Sequence, residues 1–131
     1  GPGRGYAVDP SASGFLLGGD ETAIPAICQL LESIGSKTPT EVHIEVAHPN
    51  ARLPLSNRHA SIHWHDLSSE RPPGDGLVAA IRKLDIRPDT RIWVAGEAAS
   101  VQRIRNHLFR ERMIPRTLAT VRGYWKHTSP R

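Results

Sequence analysis

The chain has 131 residues, one cysteine and a formal charge of +4, a size that closes one hydrophobic core and leaves little room for a second. No apolar run approaches the ~20 residues of a membrane helix, Cys28 by itself excludes an internal disulfide or a cysteine-rich zinc site, and no secretory signal pattern is found, so a reducing, cytoplasmic setting is expected. Residues 66–131 hold thirteen Lys and Arg against seven Asp and Glu, whereas residues 1–65 hold four against six; the basic half points to an anionic partner without choosing among nucleotide, acidic small molecule, nucleic acid and acidic protein.

A Gly/Pro/Ser-rich lead-in over 1–13 reads as a linker, and 14–131 as the domain. The apolar run 14–18 predicts a buried strand. Ile24, Ile27, Cys28, Leu31 and Ile34 then recur at helical spacing, with Gly35 as the stop. Cys28 falls on the apolar face of that helix and is expected to pack rather than react. A second strand is predicted over 41–47 and a third over 61–67, joined by a Pro/Asn-rich loop with no helical pattern. Leu77, Val78, Ile81 and Leu84 mark a second helix before Pro88, and 91–95 a fourth strand. Val101, Ile104 and Leu108 mark a third helix before Pro115, and 118–123 a fifth strand. Strands alternating with helices imply an α/β fold, an open, mostly parallel five-stranded sheet with helices on both faces. Its ligand crevice lies beyond the carboxyl ends of the strands, where 18–25, 48–58 and 96–100 would converge.

Gly18-Gly19-Asp20-Glu21-Thr22-Ala23-Ile24-Pro25 reads as a strand turning on glycines into a helix start. Free backbone N–H groups and a positive helix end there suit a phosphate. Pro25 fits the first helical turn, and Thr22 can cap it or donate to a phosphate oxygen. Asp20 and Glu21 favour the helix dipole but repel a pyrophosphate, so a nucleotide is expected to meet the Gly19 and Thr22 backbone, or to offer the carboxylates a ribose hydroxyl or amide. Trp93-Val94-Ala95-Gly96-Glu97-Ala98 repeats the strand-to-helix pattern with small residues that admit a flat group. Tyr124 and Trp125 can stack on a planar ring, with Arg122 or Lys126 holding an anion.

Other features read more plainly. His63 and His65 share one face of a strand, but His43, His48 and His59 cannot be placed from sequence, and no metal site is predicted. Arg103, Arg105, Arg110, Arg112 and Arg116 read as a solvated helix face. Without an aromatic platform, nucleic acid is not expected as a partner. No P-loop or G-x-S-x-G elbow occurs.

Together these segments resemble the C-terminal half of the siderophore-interacting proteins, a branch of the ferredoxin-reductase-like flavoenzymes. Gly18 to Pro25 is similar to that family's G-D-E-T-A-x-P turn, Trp93 to Ala98 to its W-x-A-G-E-A segment, and Gly123-Tyr124-Trp125-Lys126 to its closing G-Y-W-[RK]; Gly1-Pro2-Gly3 resembles the joint with the FAD barrel. The resemblance implies a ferredoxin-reductase-like NAD(P)-binding domain that works with FAD on a ferric siderophore. The FAD-binding domain would be supplied in cis or in trans, and this chain alone is expected to be inactive and free of FAD. Carried over, Gly19, Asp20, Glu21, Thr22, Ala23 and Pro25 would border the nicotinamide-ribose and pyrophosphate of NADPH or NADH. Gly96, Glu97 and Ala98 would lie on the nicotinamide side, Tyr124 and Trp125 near the flavin, and Lys126 would attract the iron chelate. His65 to Ser68 lacks the basic residue expected for a 2′-phosphate, with Arg52 and Arg58 as substitutes. The alternative is a noncatalytic α/β docking module using its basic third helix on a protein or other anion.

Overall fold

In the computed structural model, which describes residues 6–52, 55 and 60–128, the alternation of strand and helix resolves into β1 (Gly14–Asp20), α1 (Ile24–Ser33), β2 (Thr40–Val46), β3 (Ala60–Asp66), α2 (Asp75–Lys83), β4 (Thr90–Glu97), α3 (Ala98–Asn106) and β5 (Ala119–Trp125). Gly1-Pro2-Gly3, Arg58 and His59 lie outside the described residues. The sheet order is β3-β2-β1-β4-β5, and every pairing is parallel. The expected open α/β sheet is the one observed.

Because β1 is central, both of its faces must be covered, and its run Phe15-Leu16-Leu17 is buried throughout. Phe15 and Leu17 pack with Ile27, Leu30 and Leu31 of α1, Val42 and Ile44 of β2, and Trp93 of β4. Leu16 faces the other way, into Leu77, Val78 and Ile81 of α2, Val101 and Ile104 of α3, and Ile92 and Val94 of β4. Helices therefore cover both faces. The β2–β3 connection carries only a short 3₁₀ turn, Pro49–Ala51, and Ala51 and Leu55 pack on the α1-side core where a crossover helix would otherwise lie.

Two boundaries differ from expectation in a way that shapes the site. The chain does not turn on its glycines: Gly18 and Gly19 stay in β1, paired with Val94 and Ala95, and the turn comes at the 3₁₀ segment Glu21–Ala23. β4 likewise runs on through Gly96 and Glu97. The lead-in is packed onto the domain as far as it is described: Ala12 is buried, Tyr6 and Val8 lie against the α1-side core, and Asp9 pairs with Arg91 at 2.9 Å. Among the described residues no helix is long and apolar enough to cross a membrane.

Candidate functional site

The chain leaves β1 toward β2 and β3 on one side and returns to β4 and β5 on the other, so the connections diverge at the carboxyl ends of β1 and β4 and open a crevice there. Asp20, the last residue of β1, organises that point. Its Oδ1 accepts from the backbone N–H of Thr22 at 3.0 Å and from the Thr22 hydroxyl. Its Oδ2 accepts from the Glu97 N–H at 3.1 Å and from the Trp125 indole N–H at 2.8 Å. One carboxylate thus ties together the ends of β1, β4 and β5. Glu21 performs a similar task toward β2, accepting from the Ala47 N–H at 2.6 Å.

The glycines follow from this close approach. A Cβ on Gly19 would lie 2.5 Å from Ala23 Cβ and 2.8 Å from the Ala95 carbonyl oxygen, and one on Gly96 would lie 2.8 Å from Asp20 Oδ2. Both are required because the corner is tightly packed, rather than for turning.

Acidic side chains also take up the helix starts. Glu97, buried at 3% exposure, caps α3 by accepting from Ala99 and Ser100 at 3.0 Å each, and reaches His127 N–H at 3.2 Å. Burial alone would raise its carboxyl pKa; the N–H groups of Ala99, Ser100 and His127 outweigh that and hold it below the ordinary value. Glu45 of β2 is equally buried and accepts from Gly74, Gly76 and Leu77 at 2.6, 2.8 and 3.2 Å, closing the start of α2. Asp20, not Thr22, caps the 3₁₀ turn Glu21–Ala23 by accepting from Thr22 N–H, whereas the start of α1 at Ala23 carries no side-chain cap. The starts of α2 and α3 are thus closed by acids, and that of α1 is not.

The crevice also offers aromatic surface. A bulge between Gly96 and Glu97 shifts the register so that Trp125 pairs with Glu97. Tyr124 and Trp125 stand 40% and 37% exposed, and Tyr124 meets the buried Trp93 edge to face at 6.3 Å. Trp93 is fully buried, and its indole N–H has no acceptor among the described residues.

Of the sequence-nominated residues, Gly19, Asp20, Thr22, Ala23, Gly96, Glu97, Ala98, Tyr124 and Trp125 converge on the ends of β1, β4 and β5. Glu21 and Pro25 lie exposed on the adjoining turn and at the start of α1, and Lys126 is exposed just past β5. Arg52 stands apart, paired with Asp66 at the end of the edge strand β3. Sequence reasoning missed Glu45 and His127. It also left His63 and His65 without neighbours: in the sheet, His43 and Glu41 of β2 join them on the face opposite α1. The signal was the alternation of polar residues at 41, 43 and 45 and again at 61, 63 and 65, which marks a polar strip across two adjacent strands.

The basic third helix is largely self-engaged. Arg103 pairs with Asp75 at 2.7 Å, Arg105 donates to the Val121 carbonyl at 2.5 Å, Arg112 closes the carbonyl end of α2 through Ile81, Arg82 and Leu84, and Arg116 lies 4.8 Å from the Phe109 ring centre.

Comparison with known proteins places this geometry. The family model described as siderophore-interacting protein matches residues 12–128. An uncharacterized protein of Mycobacterium tuberculosis strain H37Rv is 34% identical over 96% of this chain and 49% of its own length, so the chain spans about half of that relative. The mycobactin import ATP-binding/permease protein IrtA of Mycolicibacterium smegmatis is 32% identical over 92% of this chain and 14% of that protein. Among solved structures, a siderophore utilization protein from T. fusca superposes with a TM-score of 0.80 at 27% identity, over 94% of this chain and 48% of that one.

Proposed function

The chain belongs to the siderophore-interacting protein family, and from that premise we propose that it is the NAD(P)H-binding half of a flavin-dependent ferric-siderophore reductase, acting with an FAD-binding domain that the matched half of its relatives leaves room for. The observation that carries the reading is the joining of three separated motifs into one hydrogen-bonded corner by Asp20. Its position at the strand switch point is where open α/β sheets bind nucleotides.

NAD(P)H would supply a hydride to FAD, and the reduced flavin would pass electrons to the ferric chelate, whose iron is then held more weakly by hard oxygen ligands. The residues of this chain supply alignment. Asp20 holds the Trp125 indole in place and Trp93 supports Tyr124 from behind, so two aromatic surfaces are fixed at the crevice mouth where a planar ring can stack. With Asp20 and Glu97 committed to backbone donors, the anionic end of the nucleotide would be met by exposed cations on the rim, Lys126 and, on the β2–β3 side, Arg52. Arg52 would have to exchange Asp66 for the ligand. This arrangement favours no strong choice between NADPH and NADH, and a cytoplasmic reducing setting suits the chemistry.

Calorimetric titration of the purified chain with NADPH and with NADH at equal salt tests the reading. Saturable binding that Trp125→Ala weakens is expected. Absence of binding to both, with amide resonances unshifted, would remove the nucleotide assignment from this chain on its own.

A further inference from the structure

Glu41, His43 and Glu45 of β2 lie in register beside Ser61, His63 and His65 of β3. Glu45 is consumed by α2. The other acid and the three histidines form a cluster on the α2-side face of the sheet, its nearest member His65 two strands from Asp20, that the nucleotide reading does not use. His43 is buried at 5% exposure. Its Nε2 lies 2.6 Å from Glu41 Oε2 and its Nδ1 lies 2.9 Å from His65 Nε2, while the exposed His63 ring stacks on it at 4.6 Å. Glu41 also lines a cavity of about 590 Å³ at the amino ends of the strands, bordered by Thr40, Ser61, Asp85 and Arg87. The cluster is thus open to solvent from the cavity and from the sheet edge.

We propose that Glu41, His43 and His63 form a binding site for a divalent first-row transition ion, with His65 as the positioning residue behind His43. Two imidazoles and one carboxylate are a donor set of the borderline softness such ions prefer, with a water completing four-coordination. One donor atom from each residue already lies within 4.8 Å of the others. Bonds of about 2.0–2.1 Å in tetrahedral array set donors about 3.3 Å apart, so the widest pair must close by at most about 1.5 Å, while His43 Nε2 and Glu41 Oε2, now at 2.6 Å, must part by about 0.7 Å. Both shifts fall on the two residues able to move. His63 is exposed, and its ring, now within 10° of parallel to His43, must turn to aim a lone pair at the ion. Glu41 is only partly covered.

The buried His43 needs no movement, only a change of tautomer. Without metal, His43 Nε2–H donates to Glu41 and its Nδ1 accepts from His65 Nε2–H. With Nε2 on the ion, Nδ1 carries the proton and donates to His65 Nε2, whose own proton has passed to His65 Nδ1. Two protons are present before and after, so no acid or base is called for. A metal-bound imidazole that donates its second N–H to a fixed acceptor is the usual outer-shell arrangement.

A purely structural hydrogen-bond cluster would explain His43, Glu41 and His65 but has no use for the exposed His63, and this separates the two readings. The chelator-treated chain is titrated at pH 7.5 with Zn²⁺ by calorimetry and with Co²⁺ by visible absorption. One ion per chain is expected, with His63→Ala and Glu41→Gln each weakening Zn²⁺ by at least about tenfold and His65→Asn by about tenfold. His48→Ala, an exposed histidine outside the cluster, should leave binding unchanged. Long-range nitrogen–proton spectra should move the His43 proton from Nε2 to Nδ1 on Zn²⁺ addition. No saturable uptake, or unchanged affinity in His63→Ala, overturns the site. Because His63 is exposed, its loss does not threaten folding, and because NAD(P)H is absent from the titration, the result is independent of the nucleotide reading.

Discussion

The switch-point corner and the amino-end half of the β2–β3 polar strip are built from similar side chains and treat their carboxylates in opposite ways. At the corner Asp20 and Glu97, and at the carboxyl end of the strip Glu45, accept from backbone N–H groups of neighbouring segments, so each of these acids is locked into the frame. On the strip, Glu41 is bonded to an imidazole instead, a partner that can change tautomer and be replaced. An acid that satisfies backbone donors is structure, because removing it orphans groups that cannot move away. An acid that satisfies a side chain remains exchangeable. The segment from Gly19 to Ala23 thus serves packing and backbone closure.

The largest test of this contrast is Gly19→Val. Its Cβ has no space against Ala23 and the Ala95 carbonyl, and thermal unfolding should show a loss of about 3 kcal/mol or more; a stability near wild type would mean that the corner is not tightly packed. Glu45→Ala comes next, leaving three N–H groups at the start of α2 without their acceptor. We expect about 2–3 kcal/mol in urea unfolding, with Glu45→Gln recovering part of it. Glu97→Gln should cost about 1 kcal/mol through the weakened α3 cap.

That same variant sharpens the pH behaviour. With its carboxyl held below the ordinary value in the folded state, Glu97 contributes stability that is full above about pH 4.5 and is lost as pH falls through its folded-state value. The unfolding midpoint should therefore fall less steeply between pH 5 and pH 3 in Glu97→Gln than in wild type, and parallel profiles would refute this. Smallest of all, metal-free Glu41→Gln should change stability by no more than about 0.5 kcal/mol, since among the described residues its carboxylate is bonded to an imidazole at a half-open position. A loss like that of Glu45→Ala would erase the distinction between locked and exchangeable acids.

Most of the fold was legible because periodicity depends on which face of an element is buried, and burial is encoded locally. The run 14–18, the helical spacing of Ile24, Ile27 and Leu31, and the stops at Gly35 and Pro115 all report it. The elements at 14–20 and 90–97 outran their expected ends because Gly18, Gly19 and Gly96 looked like turn residues. Glycine signals equally a need for positive φ and a need for space, and here the need was space. The arginines of the third helix looked like a free basic surface; their partners Asp75, Val121 and the α2 carbonyls come from other parts of the chain and could not be read locally.

Sequence alone therefore determined the order and kind of the elements, the two-faced core and the set of motif residues that meet at the strand ends, because side-chain polarity along a segment is a local property. Tertiary structure alone decided that Asp20 would bind Trp125 across 105 positions, that Glu45 would close α2, and that Glu41 and His43 would meet His63 and His65. Those outcomes depend on strand order and parallel register, which bring together groups whose separation along the chain carries no information about their separation in space.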